Sequence, residues 1–151
     1  MSSELVRPDF EPFIALTEKA ARALSYDMLA HAHRAGFTEI GGSHNAVFAT
    51  LGPEGSRAAD MAQRVGITRQ SMGEVVRDMV RLGILEMVED PTDRRAKLVR
   101  YSEYGKKVAQ EGFNHIMEVE DILRDEFGAA DLETTRKVLL RVREMLRPDP
   151  A

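Results

Sequence analysis

The chain contains no cysteine and no tryptophan. Without a thiol there is no disulfide, no thiolate-ligated metal and no cysteine-based redox sensor, and a reducing compartment suits the composition. Long apolar runs are missing too. Nothing approaches the ~18–20 residues needed to span a bilayer, and the first residues lack the basic, apolar, small-residue order of a secretory signal. The expectation is a cytoplasmic protein with no membrane partner. Also lacking is an excess of positive charge: 21 Lys and Arg stand against 25 Asp and Glu, a formal net charge of −4. The average surface therefore does not advertise an anionic partner. No internal repeat or low-complexity segment is present.

What is there is unevenly spread. Residues 56–107 carry eleven basic against eight acidic side chains, whereas 1–55 carry four against seven and 108–151 carry six against ten. A locally basic centre between acidic ends points to a confined anion-binding face. At 151 residues the length suits about one domain, one that buries roughly 68–70% of its unfolded surface.

Periodicity gives a mainly α chain with one small β-hairpin. Over residues 10–35, Phe13, Leu16, Ala20, Leu24, Met28 and Ala32 recur at three or four, and Gly36 follows as a stop, so a long amphipathic helix is expected. In "GGSHNAVFATLGPEG" Ser43 is the expected N-cap of a short helix that ends in Gly52, Pro53 and Gly55. Two helices separated at Gly66 come next, then strands at 84–89 and 97–101. A helix over 102–127 with Val108, Phe113, Ile116, Met117 and Leu123, and a last one with Leu132, Val138, Leu139, Val142 and Leu146, complete the chain. The tails "MSSELVRP" and "RPDPA" are expected to fray. The first helix and the last two have apolar stripes that one small chain does not cover, which predicts a homodimer built from them.

The stretch "AADMAQRVGITRQSMGEVV", residues 58–76, fits a helix-turn-helix. Such a pair needs a small residue where the helices touch and a glycine where the chain bends, and Ala62 and Gly66 occupy those places. Met61, Val65, Ile67, Met72 and Val75 are the expected packing positions. The second helix opens at Thr68, a good N-cap, and presents Arg69, Gln70, Ser71, Gly73 and Glu74 in its first turns. These side chains suit base edges or phosphates, with Gly73 permitting close backbone approach. A solvated face with an ordinary charge mix is the plainer alternative, since short helix pairs of this composition are common.

Directly after it, "EDPTDRRAKLVRYSEYG" (89–105) reads as a hairpin. Asp90, Pro91 and Asp93 favour chain reversal, and Arg94, Arg95 and Lys97 place cations on the arm. A helix for the major groove followed by a basic hairpin for the adjacent backbone or minor groove is a winged helix. Asp93 is expected to pair with one of the arginines and hold the arm in shape.

The order long helix, short helix, helix-turn-helix, "DPTDRRAK" wing and two C-terminal helices resembles the MarR family of winged-helix transcriptional regulators over nearly the whole chain. The resemblance implies a winged helix-turn-helix over 43–101 and N- and C-terminal dimerisation helices over 10–35 and 102–147. It implies a homodimer on a pseudo-palindromic double-stranded DNA operator, with Arg69, Gln70 and Ser71 in the major groove and Arg94 at or near the wing tip in the minor groove. Asp93 and Arg95 would brace the wing. Many members are released from DNA by a small ligand lodged between the dimer helices and the winged region; Phe13, Tyr26, Phe48 and Phe113 are the candidate pocket residues here. Two departures are visible. Tyr101 and Ser102 stand where the family has Leu-Thr before the glycine (Gly105 here), the hydroxyl that caps the next helix being kept, and "GGSHNAVF" replaces the usual Leu-Thr opening of the short helix.

The sequence offers little for catalysis or metal. His31 and His33 point to different faces of a helix, and His44 and His115 are isolated. Glu111, His115, Glu118 and Asp121 share a helical face, but the second Glu-x-x-His of a di-iron site is missing. There is no Gly-x-Ser-x-Gly elbow, and "GPEGSR" lacks the Lys of a phosphate loop. The expectation is a non-enzymatic DNA-binding regulator of the repressor class, without cofactor or bound metal. A winged helix used for protein contacts and a metal-responsive regulator stay as alternatives.

Overall fold

A computed structural model describes residues 5–146. The outermost tail residues, and position 147 that closes the expected C-terminal helical region, lie outside the described residues. In chain order the elements are α1 (Phe13–Arg34), a 3-10 turn (Gly42–His44), α2 (Asn45–Phe48), α3 (Ala58–Val65), α4 (Arg69–Arg81), β1 (Leu85–Asp90), β2 (Asp93–Tyr101), α5 (Glu103–Phe127) and α6 (Ala129–Met145). The chain divides into two compact units, 1–112 and 113–151, with the boundary inside α5. None of the described helices is long and apolar enough to cross a membrane.

The first unit is a winged helix-turn-helix. Its core is made by Met61 and Ala62 of α3, Met72, Val76 and Met79 of α4, Ile84, Leu85 and Val99 around the hairpin, and Val47 of α2. Three of the largest fully buried side chains are methionines, whose unbranched thioethers fill the irregular space between short helices. Val108 and Ala109 root the start of α5 on the same core. Gly105 makes that possible: a Cβ there would overlap the carbonyl oxygen of Ile84. Ser102 caps α5 as the sequence suggested, accepting the Gly105 N–H at 2.9 Å while its hydroxyl donates to the Gly83 carbonyl at 2.5 Å.

Several boundaries differ from the periodicity reading. α1 begins at Phe13 rather than residue 10, because Pro12 disfavours helical backbone before it and serves as the N-cap. Ser43 lies inside the 3-10 turn and is not an N-cap; the Gly41 N–H is taken by the ring of His44 instead. Of the expected packing positions, Met61 and Met72 are buried and Val75 packs against the core, whereas Val65 and Ile67 are exposed, both at 37%, and Val76 and Met79 join the core instead. The turn needs only Pro91 and Thr92, so β2 starts at Asp93 and not at residue 97. A further antiparallel bridge joins Ser56 to Val99, with N–H to O distances of 2.9 and 2.8 Å. It gives the hairpin a third, minimal neighbour.

In the second unit α6 buries none of its side chains. Arg136 of α6 pairs with Glu120 of α5. Ile122, Phe127, Val138, Leu139 and Leu140 are all exposed.

Candidate nucleic-acid interface

The reversal between α3 and α4 is set by Gly66, whose φ of 78° closes α3 in the left-handed region. Its N–H and that of Ile67 both return to the Ala62 carbonyl, at 2.9 and 3.1 Å. Thr68 then caps α4: its oxygen accepts the Ser71 N–H at 3.0 Å while its hydroxyl donates to the Ser71 Oγ at 2.8 Å. These two hydrogen bonds to Ser71 give Thr68 a local task, that of fixing where α4 starts.

The first turns of α4 leave Arg69, Gln70, Ser71 and Glu74 exposed. Gln70 leans on Glu74, Nε2 to Oε1 at 3.4 Å, a contact loose enough to exchange. At Gly73 an added Cβ would meet only the end of the Arg77 side chain, at 3.3 Å. A thirteen-residue helix also directs its N-terminal N–H groups and positive dipole end at this surface, a setting that favours anions.

The wing is braced from behind by a pair absent from the sequence reading. Arg57, the N-cap residue of α3, donates through Nε and Nη2 to Oδ2 of Asp90 at 2.8 and 2.6 Å. The other Asp90 oxygen takes the Thr92 N–H at 2.8 Å and the Thr92 hydroxyl at 2.7 Å. Bonding by the Thr92 hydroxyl and amide, then by Arg57, holds the Asp90 carboxyl down at about 2. Asp93, the expected brace, caps the Arg95 N–H at 3.0 Å and comes within 3.9 Å of Arg57. It adds to a brace centred on Asp90. Nothing in the periodicity marks Arg57, which lies 33 residues before its partner.

With Asp90 and Asp93 directed to Arg57 and the backbone, Arg94, Arg95 and Lys97 stand exposed on β2. Asp90 pairs with Asp93 and Glu89 with Lys97, so Arg94 and Arg95 lie in a bulge of the ladder next to the turn. Arg100, further along, is matched across the hairpin by Glu86 at 2.6 Å and so is neutralised in place.

The suggested pocket residues are dispersed. Phe48 stacks on Tyr101 with ring centroids 6.2 Å apart and belongs to the winged-helix core. Phe13 and Tyr26 are 49% and 76% exposed and lie about 20 Å apart along one helix, so no single intrachain pocket holds both. Phe113 opens the second unit. Among the described residues no group of three or more His, Asp or Glu side chains could hold a metal ion. His31 meets Glu111 at 2.9 Å, His33 meets the Ile40 carbonyl at 2.7 Å, and His115 meets Glu118 at 3.2 Å.

Comparison with known proteins matches residues 43–96 to the sequence model described as "MarR family". Uncharacterized proteins of Mycobacterium bovis and Mycobacterium tuberculosis are 33% identical over 81 residues, covering 54% of this chain. The match spans 57% of the length of those relatives. Among solved structures, the transcriptional repressor CouR bound to a 23-mer DNA duplex is similar with a TM-score of 0.73 at 18% identity, covering 93% of this chain and 99% of that one. The PcaV transcriptional regulator of Streptomyces coelicolor, solved with its natural ligand, has a TM-score of 0.64 at 23% identity, covering 91% and 98%.

Proposed function

We propose that the chain, whose residues 43–96 match the model of the MarR family, is a sequence-specific regulator of transcription that binds double-stranded DNA as a homodimer. The observation that carries this reading is the pairing of two exposed cationic features on one short stretch of chain. The N-terminus of α4 offers Arg69, Gln70, Ser71 and the bare backbone of Gly73. The wing offers Arg94, Arg95 and Lys97, held out on a hairpin whose own carboxylates are occupied by Arg57 and by backbone amides. The first set reads bases in the major groove, and Arg94 reaches the minor groove or backbone beside it. Glu74 biases the reading helix by accepting from a base amino group or by orienting Gln70. The site binds and does not catalyse.

Dimer formation follows from the apolar residues that the single chain leaves uncovered. Phe13, Ile14, Leu16 and Leu24 of α1 are exposed, as are Val138, Leu139, Leu140 and Met145 of α6. The partner's copies of these residues cover them, as the segments 10–35 and 102–147 would in a dimerisation region. The two winged helices then meet half-sites about 34–36 Å apart. The protein acts as a repressor in the cytoplasm, where its DNA is. Release by a small-molecule effector is part of the proposal, and the similarity to PcaV, solved with its natural ligand, supports it.

The test is fluorescence anisotropy on the duplex upstream of the protein's own gene and on a scrambled duplex, each at two salt concentrations. A regulator prefers the first and loses affinity steeply with salt as counterions are released. A winged helix used only for protein contacts binds both duplexes equally and weakly.

A further inference from the structure

The ladder of the hairpin has no hold on the two wing arginines, because residues 94–96 have no paired residue on β1. In a regular hairpin each strand fixes the other, and within a bulge that constraint lapses. The hydrogen bonds of the turn hold the tip instead. Asp93 accepts the Arg95 N–H at 3.0 Å. Just before it, Oδ1 of Asp90 accepts the Thr92 N–H and hydroxyl at 2.8 and 2.7 Å, while Oδ2 accepts Nε and Nη2 of Arg57 at 2.8 and 2.6 Å. The Asp90 side chain is only 7% exposed, so these charge-assisted bonds are sheltered from water and the stronger for it.

Arg57 is itself fastened to the hairpin by its neighbours. The Ser56 N–H and carbonyl bond Val99 of β2 at 2.9 and 2.8 Å. Gly55 lets the chain come that close: its φ is 96°, and a Cβ there would lie 2.9 Å from the Val99 carbonyl oxygen. Residues 55–57 thus touch β2 at Val99 and β1 at Asp90. Arg57 is also the N-cap residue of α3, whose Gly66 turn leads into α4. One guanidinium therefore refers the tip of the wing directly to the helix pair, without passing through the length of the hairpin.

We propose that Arg57 and Asp90 are positioning residues for DNA binding: their pair sets Arg94 and Arg95 at a fixed place relative to α3 and α4, so that the wing and the helix pair meet one duplex together. The inference rests on the DNA-binding reading. Its sign runs against charge. Asp90 is a negative charge beside a cationic wing, and its removal would by charge alone tighten the hold on a polyanion; in a positioning role its removal weakens that hold. Arg57 separates the two cases from the other side. A contact to phosphate needs a positive charge, which Lys also supplies, whereas the two-donor grip on Asp90 needs the guanidinium fork.

The probe is a duplex enriched from a random-sequence pool by the wild-type chain, with affinities read by anisotropy at neutral pH and folding checked by circular dichroism. Asp90→Asn has one side-chain oxygen and satisfies Thr92 or Arg57, not both; Arg57→Lys keeps the charge and loses the fork. Each is expected to weaken binding about tenfold. In a chain that already carries Arg94→Ala and Arg95→Ala, either change should cost less than about twofold, since the wing then has nothing left to place. Binding by folded D90N as tight as the wild type or tighter, wild-type binding by R57K, or an undiminished loss in the R94A/R95A chain would overturn the proposal. Should D90N not fold, R57K with and without R94A/R95A gives the same decision. If the pool enriches no duplex, the DNA-binding reading fails and the inference with it; enrichment followed by any of those contrary results sinks the inference alone.

Discussion

Asp90 shows how much one side chain decides. Its carboxylate closes the turn through Thr92 and fastens the wing to α3 through Arg57. Its pKa, held at about 2, lies below the ordinary value of about 3.9. A carboxyl depressed in the folded state contributes stability that is present above the unfolded value and is lost as pH falls toward the folded one. Urea midpoints measured between about pH 5 and pH 2 should therefore drop more steeply for the wild type than for Asp90→Asn, which starts lower at neutral pH; parallel curves would remove Asp90 from this role. Tyr101 presents the opposite case. Its hydroxyl is buried without a hydrogen-bond partner among the described residues, and burial pushes the phenol up to about 12. Such a raised acid stabilises the fold below its ordinary value of about 10 and loses that contribution as pH rises through the folded value. Tyr101→Phe removes an unsatisfied group, so its stability should equal or exceed that of the wild type by up to about 1 kcal/mol in urea unfolding. A clear loss would mean that the hydroxyl finds a partner in solution.

At the scale of the element, α4 depends on its cap. Thr68→Ala removes the oxygen that accepts the Ser71 N–H and should cost about 1 kcal/mol, read from denaturant unfolding. It should also weaken DNA binding without changing which sequence is preferred, since Thr68 is bonded to Ser71 and acts on the position of Arg69 and Gln70. Elements of this kind were legible beforehand. The three-and-four spacing of α1, the Gly66 break, the Thr68 cap and the strand–turn–strand pattern after α4 follow from local chemistry. What escaped was non-local. Arg57 and Asp90 sit far apart in sequence, and the Ser56–Val99 bridge has no periodic signature. Where competing local preferences met, the reading also slipped. Pro12 delays α1, His44 displaces Ser43 as the group that takes a loop amide, and Asp90 shortens the turn so that Arg94 and Arg95 belong to β2. Val65 and Ile67, on either side of Gly66, were assigned to the core and are exposed.

For the whole molecule, charge and apolar surface are partitioned rather than mixed. The basic side chains gather in residues 56–107 of a chain whose net charge is −4, and α1 and α6 have no buried residue of their own. The proposed dimer would cover the exposed apolar residues of α1 and of α6. Sedimentation equilibrium should find twice the chain mass at micromolar concentration, and a monomer there would exclude that dimer. The central claim is that the chain reads DNA sequence, and it is tested most directly by selection of duplexes from a random-sequence pool followed by affinity measurement on the enriched sequence. The expected result is an inverted repeat with half-sites centred about 34–36 Å apart, bound about a thousandfold or more tighter than random duplex at physiological salt. Failure to enrich any sequence, with equal affinity for every duplex tested, would contradict it.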